Sequence, residues 1–171
     1  MTGSDDAAIL QTLLAERDIR NVVLRYCRGV DRLDEELVRS CYHPGAHDEH
    51  GSFSGDVEAY IDWSFRLLRG YDATMHFIGN QLVEVQGDVA RAESYGVAYH
   101  RKHGGEARQN LTTGFRFVDR FERRDGEWRI ARRVATTEWV RAERPEDQWP
   151  VPDHLRAGSR DRSDPVYETQ D

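Results

Sequence analysis

The sequence predicts an α+β domain in which N-terminal helices are covered by one curved, mostly antiparallel sheet. Two observations carry this. Apolar residues recur with a period near 3.6 up to Leu68, and from Ala73 onward the period becomes 2. Within the second region, Asp125-Gly126 separates two alternating runs, a strong short-range hairpin signal. Helices followed by a meander, rather than alternating with strands, is the α+β order. At 171 residues the chain suffices for one domain with a full core.

Taken in order, Ser4-Asp5-Asp6 can cap a helix starting near Ala7, with Leu10, Leu13 and Leu14 as its apolar face. The stretch Ile19–Asp34 is the clearest helix. Ile19, Val22, Val23, Tyr26, Cys27 and Val30 share one face, and Asp31 extends the Val23–Cys27 row by four. A carboxylate there is either a solvated residue after a helix that ends near Gly29, or a group facing a cavity. A short helix from Glu35 to Tyr42 is stopped by His43-Pro44-Gly45, and Ala46–Phe53 reads as a polar strand or hairpin. Asp56 caps a third helix, Val57–Arg69, burying Tyr60, Ile61, Phe65 and Leu68, with Gly70 as its C-cap.

Strand runs follow at Met75–Val85 and Val89–Arg101, with Gln86-Gly87-Asp88 between them, and at Leu111–Arg123 and Trp128–Val140. Lys102–Ala107 is a loop. Ala90, Ala92, Ser94, Gly96, Ala98 and His100 share one strand face, whose small residues leave room for a ligand. Tyr95, Val97 and Tyr99 make the opposite face apolar, which suggests a homodimer or homotrimer. The domain thus spans residues 1–143. Residues 144–171, rich in Pro, Asp and Arg, read as an extended tail packing on the domain or on a neighbouring subunit, with Trp149, Val151, Leu155 and Tyr167 as anchor points.

Composition excludes several functions. A net charge of −7 argues against a nucleic-acid binder. No apolar run approaches the length of a membrane span. The N-terminus MTGSDDAAIL lacks a basic segment followed by an apolar one, so no signal peptide is expected and the cytoplasm is the default location. Cys27 and Cys41 are too few for a disulfide framework, and no phosphate loop, GxSxG elbow or HExxH motif occurs. His47, Asp48, Glu49 and His50 alternate between two strand faces, so no three converge easily on a metal. No cofactor is expected.

The chemical candidates are few. His76, in the run TMHFIGN, becomes a general base if a carboxylate such as Asp31 orients it, and is otherwise a solvent-facing strand residue. Arg132 and Arg133 are adjacent in a strand, so one faces inward and needs an anion. Tyr26 either donates into a pocket or is core, and His100 either faces the pocket or ends a hairpin in water. Trp63, Phe65, Phe115, Phe117 and Trp139 are most simply core.

Three stretches together resemble the SnoaL-like branch of the nuclear-transport-factor-2-like superfamily. They are the helix ending Tyr26-x4-Asp31, the strand Met75-His76-Phe77-Ile78-Gly79-Asn80, and the hairpin Phe121–Ile130. The resemblance covers about residues 7–142. It implies a cone-shaped barrel like that of the lindane dehydrochlorinases, scytalone dehydratases and bile-acid 7α-dehydratases. It implies Asp31 and His76 as the working pair, Arg133 as the pocket arginine, Tyr26 as an assisting group, and a further polar residue near Tyr99 or His100. Lysine and tryptophan of the dehydrochlorinases are replaced by Tyr26 and Asp48, which argues against haloalkane chemistry. The expected function is a cofactor-independent lyase or dehydratase. Cys27, Ala98, Thr113, Phe115 and Ala135 would line a pocket for a small hydrophobic substrate. The same base could serve isomerisation, cyclisation or retro-aldol cleavage, and a non-catalytic ligand-binding or assembly module is the alternative.

Overall fold

A computed structural model describes residues 3–102, 110–147 and 151–168. Helix α1 runs unbroken from Gly3 to Arg32. Ile19, Val22, Val23, Tyr26, Cys27 and Val30 are all buried, as their spacing requires. Its first turns project outward: Leu10 and Leu13 are 54% and 57% exposed, and burial begins at Ala15. Gly29 does not end the helix. A side chain there would meet Val38 Cγ2 at 2.6 Å, so glycine lets α2 (Glu35–Ser40) pack against α1. Asp31 therefore lies within the last helical turn. Leu33, at φ 53°, makes the turn out. Helix α3 (Val57–Leu68) is capped by Asp56 and buries Tyr60, Ile61, Phe65 and Leu68. Its C-cap is Arg69 rather than Gly70.

Among the described residues, six strands form one curved sheet in the order β2-β1-β6-β5-β4-β3. They are β1 (Tyr42–His50), β2 (Phe53–Asp56), β3 (Ala73–Gln86), β4 (Val89–Arg101), β5 (Asn110–Arg124) and β6 (Glu127–Glu143). All neighbours are antiparallel except β1 and β6, which run parallel. The sheet is not closed, so the barrel expectation is corrected to an open, helix-filled cone with β2 and β3 as edges. Helix α2 ends at Ser40 rather than Tyr42, and His43-Pro44-Gly45 does not stop it but belongs to β1. Pairing with β6 shifts register between Tyr42 and His47, and such an irregularity tolerates a proline without an N–H and a glycine at φ +75°. The β5–β6 turn has φ +52° at Asp125 and +84° at Gly126, the two positive values a type I′ turn needs.

On the outer face of the sheet, Met75, Phe77 and Tyr95 are exposed. Trp139, expected in the core, is 49% exposed and lies across Gly114, where a side chain would collide with its ring. No helix among the described residues is long and apolar enough to cross a membrane. Residues 103–107 of the expected loop, and Trp149, lie outside the described residues.

The tail is held by an unexpected residue. Val151 and Leu155 are more than half exposed, so they anchor little. Instead Arg160 reaches beneath the end of α3. Its guanidinium donates to Leu68 O at 3.0 Å, to Tyr71 O, to Thr74 Oγ1 at 3.3 Å and to Asp31 O at 3.4 Å. Asp164 accepts from Ser159 N–H and pairs with Arg32 at 3.1 Å, while Tyr167 donates to Asp34 at 3.1 Å. Carbonyls after a helix end need such donors. Arg160→Ala is expected to cost about 1–3 kcal/mol in urea denaturation and to expose residues 151–168 to limited proteolysis. An unchanged midpoint and cleavage pattern would show that the tail is held otherwise.

Candidate active site

The end of α1 and the start of β3 bring Asp31 and His76 together. Asp31 Oδ1 lies 2.7 Å from His76 Nδ1, and Oδ2 accepts the His76 backbone N–H at 2.9 Å. Both side chains are about nine-tenths buried. A carboxylate only accepts, so Nδ1 carries the proton and Nε2 keeps its lone pair in the neutral ring. The two-point hold fixes both tautomer and ring orientation.

His76 lines a cavity of about 390 Å³ between the helices and the concave face of the sheet. Ala98, Thr113, Phe115 and Ala135 line it as expected. Cys27 does not; it sits on the α1 face one row away, packed in the core with its thiol pushed up by burial. His100, not Tyr99, faces the cavity, because even-numbered residues of β4 point inward; Tyr99 lies outside under the Arg101 guanidinium. Tyr26 touches the cavity, but its hydroxyl is hydrogen-bonded to that of Tyr60, and burial pushes both phenols up.

Arg133 requires a correction. It faces inward, with Arg132 outward on Glu49, but it does not line the cavity. It is fully buried and donates two hydrogen bonds to Asp119, at 2.8 and 2.7 Å. Its guanidinium lies 3.9 Å from the Phe117 ring centre and 4.2 Å from that of Tyr26. Burial works against this charge, but the Asp119 carboxylate outweighs it and holds the guanidinium well above its ordinary value. The cation stiffens the floor under Tyr26 and Phe117 rather than meeting a ligand.

His100 is pushed down to about 4, first by burial and then by the neighbouring His76. A histidine depressed from 6.5 binds fewer protons folded than unfolded between those values. Its stabilising contribution is full above about pH 6.5 and is lost as the pH falls toward 4, on the order of 3 kcal/mol. Denaturation midpoints over this window are expected to fall less for His100→Gln than for the wild type. Parallel curves would remove His100 from the account.

The residues missed by sequence reasoning lie deeper. Asp48 is fully buried and accepts from Tyr42 Oη at 2.6 Å. His50 lines the cavity, stacked 5.3 Å from Tyr60. The alternation in β1 places both inward, a signal considered only for metal binding. Among the described residues no group of three His, Cys, Asp or Glu side chains is placed to hold a metal ion. Asp119 had the same signal as Asp31, a carboxylate in the buried row Phe117-x-Asp119-x-Phe121.

The SnoaL-like domain family matches residues 11–134, from α1 into β6. The chain belongs to this family. An uncharacterised Mycobacterium tuberculosis protein, Rv2910c, is 26% identical over 123 residues, covering 70% of this chain and 82% of that protein. The fold of this SnoaL-like domain is also similar to a crystal structure of hexachlorocyclohexane dehydrochlorinase (LinA) type 2. The identity is 19% and the TM-score 0.74, covering 85% of this chain and 99% of that one. A candidate scytalone dehydratase from Novosphingobium aromaticivorans superposes with a TM-score of 0.64 at 20% identity, covering 81% and 97% of the two chains. At such identities the likeness is one of fold.

Proposed function

We propose that this SnoaL-like domain is a cofactor-independent lyase. His76, oriented by Asp31, removes a proton from a carbon next to an activating group, and a leaving group departs from the adjacent atom. The observation that carries this is the double hold of Asp31 on His76, with the ring on the wall of a cavity of about 390 Å³. That volume and the apolar lining from Val30, Leu68, Ala98, Phe115 and Phe117 suit a small aromatic or polyketide-like molecule. Two solved structures of this fold carry the names of a dehydrochlorinase and a candidate dehydratase, both eliminations. Arg133, committed to Asp119, stabilises the charge only from beneath the floor.

The test uses a carbon acid that needs only a base and a dry pocket. The elimination of 5-nitrobenzisoxazole removes C3–H and breaks the N–O bond, giving a coloured cyanophenolate. The wild type is expected to exceed free imidazole, per catalytic group, by at least about 100-fold. A rate no greater than that of imidazole would overturn the lyase reading.

A further inference from the structure

The cavity holds a second histidine–carboxylate pair. Asp48 Oδ1 and His50 Nδ1 are 3.5 Å apart, and both atoms are buried with no hydrogen-bond partner. Asp48 uses its other oxygen for Tyr42. Buried polar atoms are ordinarily satisfied, so two facing orphans on one site call for an explanation. With Nδ1 toward the carboxylate, the His50 ring presents its Nε2 edge away from Asp48, and this ring lines the same cavity as His76. The two histidines enter from opposite ends of the sheet, His76 from β3 and His50 from β1. Between them runs a wall of two phenylalanines. His76 lies 6.0 Å from Phe115, Phe115 lies 4.5 Å from Phe117, and Phe117 lies 5.9 Å from His50, measured between ring centres.

We propose that His50, backed by Asp48, is the general acid of this site and selects substrates whose leaving atom is oxygen. The inference rests on the lyase reading and adds the second half of the proton transfer. His76 Nε2 takes the proton from carbon. The C–H electron pair becomes the new C=C bond, and the C–O pair departs on oxygen, which takes the proton from His50 Nε2–H and leaves as water. His76 ends protonated and His50 neutral, and exchange with solvent restores both. A halide leaves without a proton and has no use for His50, whereas a hydroxyl leaves poorly unless protonated.

The other groups on the cavity are poorer donors. Tyr26 and Tyr60 are hydrogen-bonded to one another, and burial holds both phenols above their ordinary range. His100 is uncharged at neutral pH, since burial pushes it down to about 4. Tyr71 packs 5.0 Å from His100, on the His76 side, so it does not reach the opposite end. The separation of 3.5 Å between Asp48 and His50 is long for a charge-assisted hydrogen bond, and catalytic pairs commonly tighten only when substrate binds.

The experiment compares two substrates differing only in leaving-group acidity, 5-nitrobenzisoxazole and unsubstituted benzisoxazole. In each, the phenol oxygen departs as C3–H is removed. His50→Gln is expected to lower kcat/KM by about 10-fold or less on the nitro compound and by about 100-fold or more on the unsubstituted one. Asp48→Asn should show the same asymmetry. Equal losses on the two substrates would overturn the assignment. The wild type gives an independent reading should the variants fold poorly. Its rate should fall less steeply with leaving-group pKa than the imidazole-catalysed reaction in water, and an equal slope overturns the proposal. His76→Gln separates the two claims. If it leaves both rates unchanged, the lyase reading itself fails. If it abolishes both while His50→Gln shows no asymmetry, only the general acid is lost.

Discussion

His76→Ala is expected to lower the turnover of 5-nitrobenzisoxazole by about 10²–10⁴-fold while leaving the fold intact. The side chain ends in a cavity, so its removal leaves no unfilled space in the packed core, and the β3 backbone keeps its pairing with β4 from Ala73 to Ile78. Asp31→Asn should be nearly as severe, for a different reason. Asp31 accepts two N–H groups of the same residue, one on each oxygen. An asparagine has one oxygen and one NH₂. If the oxygen stays on the backbone N–H, the NH₂ faces Nδ1 and forces it to accept, which places the ring proton on Nε2. The base is then in the wrong tautomer. If the amide turns the other way, the backbone N–H loses its acceptor. Steady-state kinetics with circular dichroism on both variants decide the point. Normal turnover in a folded His76→Ala protein would mean that His76 does not act as the base, and normal turnover in Asp31→Asn alone would mean that the Asp31 charge is not needed to orient it.

Arg133→Met is expected to be the most destabilising single change, at about 3–5 kcal/mol. It leaves the fully buried Asp119 carboxylate with no cation and removes the support under Tyr26 and Phe117. For a domain of this size that corresponds to a fall in Tm of about 10–15 °C. Burying a matched apolar pair is much less costly than leaving one charge unpaired. The double variant Arg133→Met with Asp119→Leu should therefore recover most of the stability. If Arg133 acts only through the floor, the double variant also keeps turnover within about 10-fold of wild type. A stable double variant without activity would instead return Arg133 to the reacting centre.

The core of α1 follows from spacing alone. Six apolar residues at helical intervals from Ile19 to Val30 are buried because a 3.6-residue period leaves one side of a helix free of polar groups. The same holds for α3 and for the alternation of β4, which brings Ala98 and His100 inward. The type I′ turn at Asp125-Gly126 is equally local, since positive φ at successive residues selects those residue types. Local patterns failed where packing overrode them. Gly29 reads as a helix end but is the contact with Val38, and Pro44-Gly45 reads as a stop but is an irregularity in a parallel strand.

The amino-acid sequence by itself determined which residues share a face, Asp31 with Val23 and Cys27 on a helix, Asp48 with His50 on a strand. It did so because side-chain direction is a property of one helix or one strand. Only the tertiary structure decided which of those faces lie inward and what Arg133, His50 and Arg160 meet there. Arg133 was expected to meet a ligand and instead meets Asp119, fourteen residues earlier on the neighbouring strand. Arg160 comes from a tail without periodicity, 129 residues from the Asp31 carbonyl it touches. His50 shares a cavity with His76 only because the curved sheet brings its two ends around the same three helices. Pairing between distant segments depends on how layers stack, and no local period records that.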